Sequence, residues 1–157
     1  MKGFGKEFGN KKSQNNSIKK IRKDQIIQKA LLLHSKGRIQ EAKDHYQDCL
    51  DLNIKDHRIF TNYGLILRNE GNCKKAEDLL NKAIQVNDKD IIAFFNLGKL
   101  QKDLGKAKEA ELSFRKAIEI DPRNSLGYYL LSDIFKNQGK LKEAEELLKQ
   151  IISINPD

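Results

Sequence analysis

The apolar residues of this chain follow the spacing of amphipathic helices, arranged as pairs of segments on either side of a glycine. Around Gly105, the apolar positions before and after the glycine are Phe94, Leu97, Leu100, Leu104, Ala110, Phe114, Ala117 and Ile118. Steps of three and four residues place such side chains on one face of an α-helix. The pattern therefore predicts two helices that meet at the glycine and form a hairpin.

The same pattern returns at a constant offset of 34 residues, with no insertion or deletion. Its glycines are Gly37, Gly71, Gly105 and Gly139. Five residues after each glycine stands an alanine, at Ala42, Ala76, Ala110 and Ala144. Another position stays small, at Ala30, Gly64, Gly98 and Ser132, and an Asp or Asn precedes the later segments, at Asp56, Asp90 and Asn124. One period that fixes so many positions indicates an internal repeat.

Each recurring residue type has a physical role in a helical hairpin. Glycine adopts the left-handed conformation that ends a helix, and Asp or Asn accepts hydrogen bonds from the free amides that begin one. Small residues allow two helices to approach closely where they cross. These signals predict eight helices, beginning near Lys23, Ile39, His57, Cys73, Ile91, Ala107, Ser125 and Leu141.

The residues of the third segment carry a resemblance to a known family. Phe94-x2-Leu97-Gly98, then Ala110-x3-Phe114, Ala117 and Pro122, resembles the tetratricopeptide repeat of bacterial proteins. The resemblance implies an all-α fold, a right-handed α-solenoid of four helix-turn-helix repeats that stack over a continuous core. The repeats are placed at residues 23–56, 57–90, 91–124 and 125–157. The first departs most from the motif, because Lys29 and Ala30 stand where Leu-Gly is usual.

The resemblance also implies a binding surface, because the first helix of each repeat in this family lines a concave groove. The groove residues carried over from the motif and selected here are Gln28, Arg58, Asn62, Leu65, Arg68, Phe95, Asn96, Lys99, Lys102, Tyr129 and Lys136. Gln28, Asn62 and Asn96 form a row of amides suited to the backbone of an extended peptide.

The groove residues combine two kinds of chemistry. Ile27, Leu65, Phe95 and Tyr129 are predicted apolar anchors, and the arginines and lysines supply positive charge. The expected ligand is an acidic peptide with hydrophobic anchors. Two alternatives stay open: the asparagines are of a kind that is also common in repeats with no such ligand, and the charged residues form an ordinary solvated face with lysines.

The positive charge of the chain, formally +8, is concentrated near its start. Residues 1–22 contain seven basic residues and one acidic residue, with few apolar ones. We expect this segment to be a disordered tail. It could attract nucleic acid or an anionic membrane, or only aid solubility, and nucleic acid is not the predicted partner because aromatic residues are not interleaved with the charge.

Other classes of function find little support in the sequence. No apolar run is long enough to span a membrane, and no signal peptide is evident, so a cytoplasmic location is expected. Cys49 and Cys73 lack the spacing of a metal site, and the three histidines form no ligand motif. We predict no enzyme activity, no metal and no cofactor.

The last helix raises the question of self-association. Leu147, Leu148, Ile151 and Ile154 are expected to form an uncovered apolar edge, which would favour a homo-oligomer or a further domain. The predicted function is a protein–protein interaction scaffold that binds a peptide or partner protein in its groove. The alternative is a substrate-recognition module of a larger glycosyl-, sulfo- or methyltransferase continuing after Asp157.

Overall fold

The structure is a computed structural model that describes residues 4–155, with side-chain environments from residue 20 onward. This part of the chain is helical and contains no strand. Its eight helices are α1 (Phe4–Ser35), α2 (Ile39–Asp51), α3 (His57–Asn69), α4 (Cys73–Val86), α5 (Ile91–Asp103), α6 (Ala107–Ile120), α7 (Ser125–Asn137) and α8 (Leu141–Ile154). The helices fall into two compact units, one formed by α1 and α2 and one by α3 to α8.

Seven of the eight helices begin at the predicted residue, and the exception is α1. Helix α1 begins at Phe4, so its predicted start near Lys23 is wrong and residues 4–22 are helical instead of a disordered tail. The segment contains no proline, and a helix that is already nucleated gains one backbone hydrogen bond for each added residue. Residues 20–25 are exposed, and the first buried side chain of the described part is Ile27.

The predicted turn glycines are confirmed by their backbone conformation. Gly37, Gly71, Gly105 and Gly139 have φ between 72° and 78°, in the left-handed region. At Gly105 the glycine N–H donates to the Lys102 carbonyl at 2.9 Å, and the Lys106 N–H donates to the Gln101 carbonyl at 2.8 Å. This pair of bonds is the Schellman motif, which satisfies the last carbonyls of a helix.

The first unit is the α1/α2 hairpin, which contains a partly buried polar contact. Tyr46 is fully buried, and its hydroxyl lies 2.9 Å from Nδ1 of His34. Burial raises the pKa of the Tyr46 hydroxyl far above its usual range, so this group remains protonated and donates to the imidazole. Burial also lowers the pKa of His34, which favours the neutral ring that accepts this bond.

The His34 contact should make the stability of the first unit depend on pH. The pKa of His34 is lower in the folded than in the unfolded chain, where it is about 6.5. As the pH falls below about 6.5, the unfolded chain binds a proton that the folded chain does not, so stability is lost. We expect the melting temperature of wild type to drop between pH 8 and pH 5.5, and His34→Gln to flatten the drop.

His45 provides the matched control for this pH dependence, because it lies on α2 of the same hairpin. His34→Gln should flatten the drop more than His45→Gln does. Equal slopes for His34→Gln and wild type would show that the buried contact does not couple folding to protonation.

The second unit consists of three hairpins, α3/α4, α5/α6 and α7/α8, stacked so that α5 packs on α4 and α7 on α6. The small residues lie at the crossings, as predicted. A Cβ atom on Gly98 would lie 2.5 Å from Cε1 of Phe114, and one on Gly64 would lie 3.0 Å from Cγ of Leu80. Leu80 and Phe114 are both fully buried. The unit is therefore an α-solenoid of helix-turn-helix repeats.

Asp90 links two of these hairpins through its buried carboxylate. As the N-cap of α5 it accepts a hydrogen bond from the Ala93 amide at 3.0 Å, as the sequence predicted. Its other oxygen lies 2.7 Å from Thr61 Oγ1 and 2.7 Å from His57 Nδ1, both on α3. The Asp90 side chain thus caps the first turn of α5 and links this helix to the preceding repeat.

A candidate recognition face on the first helices of the repeats

The first helices of the three hairpins in the second unit present one continuous face. We call it the first-helix face and define it by the positions of α3, α5 and α7 that share a helical side. Its residues are Arg58, Asn62, Leu65, Arg68, Ile92, Asn96, Lys99, Lys102, Leu126, Tyr129, Asp133 and Lys136.

Side-chain contacts across this face join each first helix to the next. Nη1 of Arg68 on α3 donates to Oδ1 of Asn96 on α5 at 3.3 Å, and its Nε lies 3.6 Å from Oδ2 of Asp103. Lys102 on α5 forms an ion pair with Asp133 on α7. These polar side chains therefore link α3 to α5 and α5 to α7.

Large apolar side chains lie exposed on the same face. Ile92 is 61% exposed, Leu126 is 41% exposed and Tyr129 is 59% exposed. Ile92 and Leu126 occupy the same position in successive repeats, 34 residues apart. Because exposing large apolar groups to water is unfavourable, several such residues on one side of α5 and α7 indicate a contact surface.

Two of the predicted apolar anchors lie in the core instead, which corrects the expectation for them. Phe95 is 7% exposed and belongs to a cluster with Phe114 and Leu131, and Ile27 is 4% exposed on α1. Leu65 is half-buried, and Tyr129 is the one predicted anchor whose ring is mostly exposed. Periodicity places a residue on a side of a helix, but neighbouring helices determine how deeply it is covered.

Sequence reasoning did not select Ile92 and Leu126 as anchors. The available signal was a change of residue type at one repeat position. This position holds Asp24 and Arg58 in the first two repeats but Ile92 and Leu126 in the next two. An apolar residue at a position that is polar elsewhere indicates a local role.

The predicted row of amides bonds mainly to its own helices. Nδ2 of Asn62 donates to the Arg58 carbonyl at 2.8 Å, and Nδ2 of Asn96 donates to the Ile92 carbonyl at 2.9 Å. Oδ1 of Asn96 also accepts from Arg68. Since an amide nitrogen carries two protons, one donor of the half-buried Asn62 remains for other use, whereas Asn96 is only 7% exposed. Gln28 is exposed on α1 in the first unit, and its membership of the row stays a prediction.

Carboxylates neutralise three of the five predicted cations. Arg68 and Lys102 pair with Asp103 and Asp133. Arg58 bonds to Asp56 through Nε at 3.0 Å and Nη2 at 2.7 Å. Partial burial raises the pKa of Asp56, but the hydrogen bonds from Arg58 outweigh it and lower that pKa below its ordinary value.

The two cations that remain are Lys99 and Lys136, for which no ion pair occurs in the described part of the chain. Lys99 lies three residues after Asn96, on the same side of α5. Lys136 lies two helical turns after Tyr129, on α7. The face is thus less positive than its composition suggests, with its unpaired charge beside its exposed apolar groups.

The two cysteines lie outside the first-helix face, on α2 and α4. Cys49 is buried and Cys73 half-buried, and neither forms a disulfide. Among the described residues, no cluster of His, Cys, Asp and Glu could hold a metal ion. None of the described helices combines the length and the apolar character needed to cross a bilayer.

Stacked two-helix repeats with left-handed glycines at the turns and small residues at the crossings define a class of helical-repeat protein. Residues 26–54 and 57–90 match one family model and residues 102–157 match another, and both are described as the tetratricopeptide repeat. The chain belongs to this family and is a protein-interaction scaffold. A comparison with curated proteins finds no match.

Solved structures of similar proteins share the fold. The crystal structure of MamA gives a TM-score of 0.80 at 18% identity, with 85% of this chain and 78% of MamA covered. A tetratricopeptide repeat protein from Parabacteroides merdae gives 0.75 at 20% identity, with 86% and 54% covered. YrrB, described as a TPR protein with an unusual peptide-binding site, gives 0.72 at 26% identity, with 82% and 66% covered.

Proposed function

We propose that the first-helix face binds an extended peptide segment of a partner protein. The observation that supports this most directly is the exposure of Ile92, Leu126 and Tyr129 on helices whose opposite sides are buried. Apolar side chains of a peptide would replace water on these three residues. The peptide-binding site described for YrrB, a similar repeat array, supports the same kind of ligand.

The polar residues define which peptide fits. Lys99 and Lys136 favour carboxylates in the ligand, because neither is paired in the described residues. The remaining amide donor of Asn62 suits a backbone carbonyl of the peptide. The proposed ligand is a short peptide segment with two or three apolar side chains flanked by acidic residues. We propose that the chain binds this segment in the cytoplasm and does not catalyse a reaction on it. The alternative of a module within a larger transferase would use the same face, and it stays a prediction.

A random peptide library displayed on phage tests the proposal, because the selection needs no identified partner. Selection on the wild-type chain should enrich peptides with apolar and acidic residues in a shared order. The variant Lys99→Glu with Tyr129→Ser should bind an enriched peptide about 30-fold more weakly, as expected when interface anchors are lost. Fluorescence anisotropy with the labelled peptide measures this change.

A matched control lies on α6. Lys108 and Leu112 are both exposed, Leu112 at 65%, so Lys108→Glu with Leu112→Ser makes the same kind of chemical change away from the first-helix face. This control should bind like wild type. If both variants weaken binding equally, or if neither weakens it, the peptide binds outside the first-helix face.

A further inference from the structure

Helix α8 exposes a stripe of large apolar residues. Leu141 is 67% exposed, Leu148 39% and Ile152 66%. These residues follow one another at steps of seven and four, so they lie on one helical side. Of the residues expected to form an apolar edge, Leu148 is exposed, whereas Leu147, Ile151 and Ile154 are half-buried.

Equivalent positions in the earlier repeats show which side chains and helices pack against such a surface. Leu80 on α4 and Phe114 on α6 correspond to Leu148 and are both fully buried. Each lies against the first helix of its own hairpin, at Gly64 and Gly98, and Phe114 also belongs to the cluster that contains Leu131 of α7. Ile118 corresponds to Ile152, and its Cγ1 lies 2.7 Å from the site where a Cβ on Gly127 of α7 would be. The exposed stripe of α8 is therefore shaped to receive another helix at close range.

Head-to-tail addition of a second copy would bring α1 onto this stripe. The residue of α1 equivalent to Gly127, three repeat steps earlier, is the exposed Gln25. It lines a groove of about 560 Å³ that combines the apolar Ile26 and Leu52 with charged residues such as Arg22 and Lys29. Placing Ile152 in this groove would cover the apolar residues but would also remove water from the charges, which costs free energy.

We propose that the stripe on α8 binds the same stripe of a second copy, in an antiparallel pair. This arrangement puts Leu141 of each copy opposite Ile152 of the other, so apolar groups cover apolar groups. Charge supports the antiparallel direction. Glu145, which lies within the stripe, comes next to Lys149 of the second copy, and the two residues already pair within one helix at 2.7 Å. A contact of this kind uses identical patches and closes at the dimer.

Sedimentation velocity of the 157-residue chain over a concentration series tests this proposal. Wild type should pass from monomer to dimer and stop there. Leu148→Ser with Ile152→Ser should raise the dimer Kd about 100-fold, because burial of each such side chain is worth a factor of about ten or more. Val86→Ser with Leu112→Ser, two exposed apolar residues on α4 and α6, should leave the dimer Kd unchanged.

If the double serine variant loses helical structure, a charge reversal still tests the proposal. Glu145→Lys alone should weaken the dimer, and Glu145→Lys with Lys149→Glu should restore it, with circular dichroism unchanged in both. The proposal is overturned by a wild type that stays monomeric at every concentration or assembles beyond the dimer. It is also overturned if the double serine variant keeps the wild-type Kd.

Discussion

Replacing Phe114 by alanine should lower the free energy of unfolding of the second unit by about 3–5 kcal/mol, the usual cost of removing a buried aromatic ring. Phe114 is fully buried on α6, and its ring lies against the backbone of α5 at Gly98. It also belongs to the cluster that joins the α5/α6 and α7/α8 hairpins. Chemical denaturation followed by circular dichroism measures the loss, and Leu112→Ala, an exposed change on the same helix, should stay within about 0.5 kcal/mol of wild type.

The close contact between Gly98 and Phe114 makes the two positions interdependent. Gly98→Ala gains about 1 kcal/mol of helix propensity but loses about 1–3 kcal/mol to overpacking against the ring. Combining Gly98→Ala with Phe114→Leu should remove the clash, so the double variant should be more stable than the sum of the single changes indicates. Strict additivity would mean that the two helices do not approach as closely as the structure shows.

Asp90→Ala should be the second most damaging change, with a loss of about 2–4 kcal/mol. The substitution removes the N-cap of α5 and leaves the buried hydroxyl of Thr61 without the carboxylate at 2.7 Å. It also removes the contact with His57, so the α3/α4 hairpin is no longer tied to α5 through this side chain. Equilibrium unfolding should become less cooperative as well as less stable, because repeats are coupled only through their neighbours.

Asp56→Ala separates the capping contribution of Asp90 from its link between repeats. Asp56 also caps its helix, through the Arg58 amide, but its carboxylate bonds only within that turn. We expect Asp56→Ala to cost about 1 kcal/mol. If Asp90→Ala costs no more than Asp56→Ala, the buried link between α3 and α5 does not stabilise the array.

The repeat architecture could be predicted in detail because local chemistry and the period agree at each turn. Gly105 requires the left-handed conformation, and Asp90 and Asn124 cap the helices that follow them. At such positions the backbone itself restricts the choice of residue. Seven helix starts were therefore predictable to the residue, whereas the start of α1 was not, since residues 4–22 contain no glycine–alanine turn of the repeat to mark a boundary.

The candidate site was less predictable, because exposure and pairing depend on neighbouring helices. Phe95 shares the motif position of Tyr129, yet it is covered by the following repeat while Tyr129 is 59% exposed. The pairing of charged side chains was equally hard to predict from the sequence. Arg68 and Lys102 are obvious cations in the sequence, but the carboxylates that pair with them lie 35 and 31 residues further along the chain.

These pairings change the expected specificity of the face. With most of its cations neutralised internally, the first-helix face is expected to select apolar side chains first and carboxylates second. Salt should therefore weaken binding only moderately, because two unpaired lysines contribute the long-range attraction.

Nuclear magnetic resonance mapping of a library-selected peptide onto the labelled chain tests the central claim most directly. The account predicts that the perturbed amides lie on α3, α5 and α7, centred on Ile92, Leu126 and Tyr129. Perturbations confined to α4, α6 and α8, with the first helices unchanged, would contradict it.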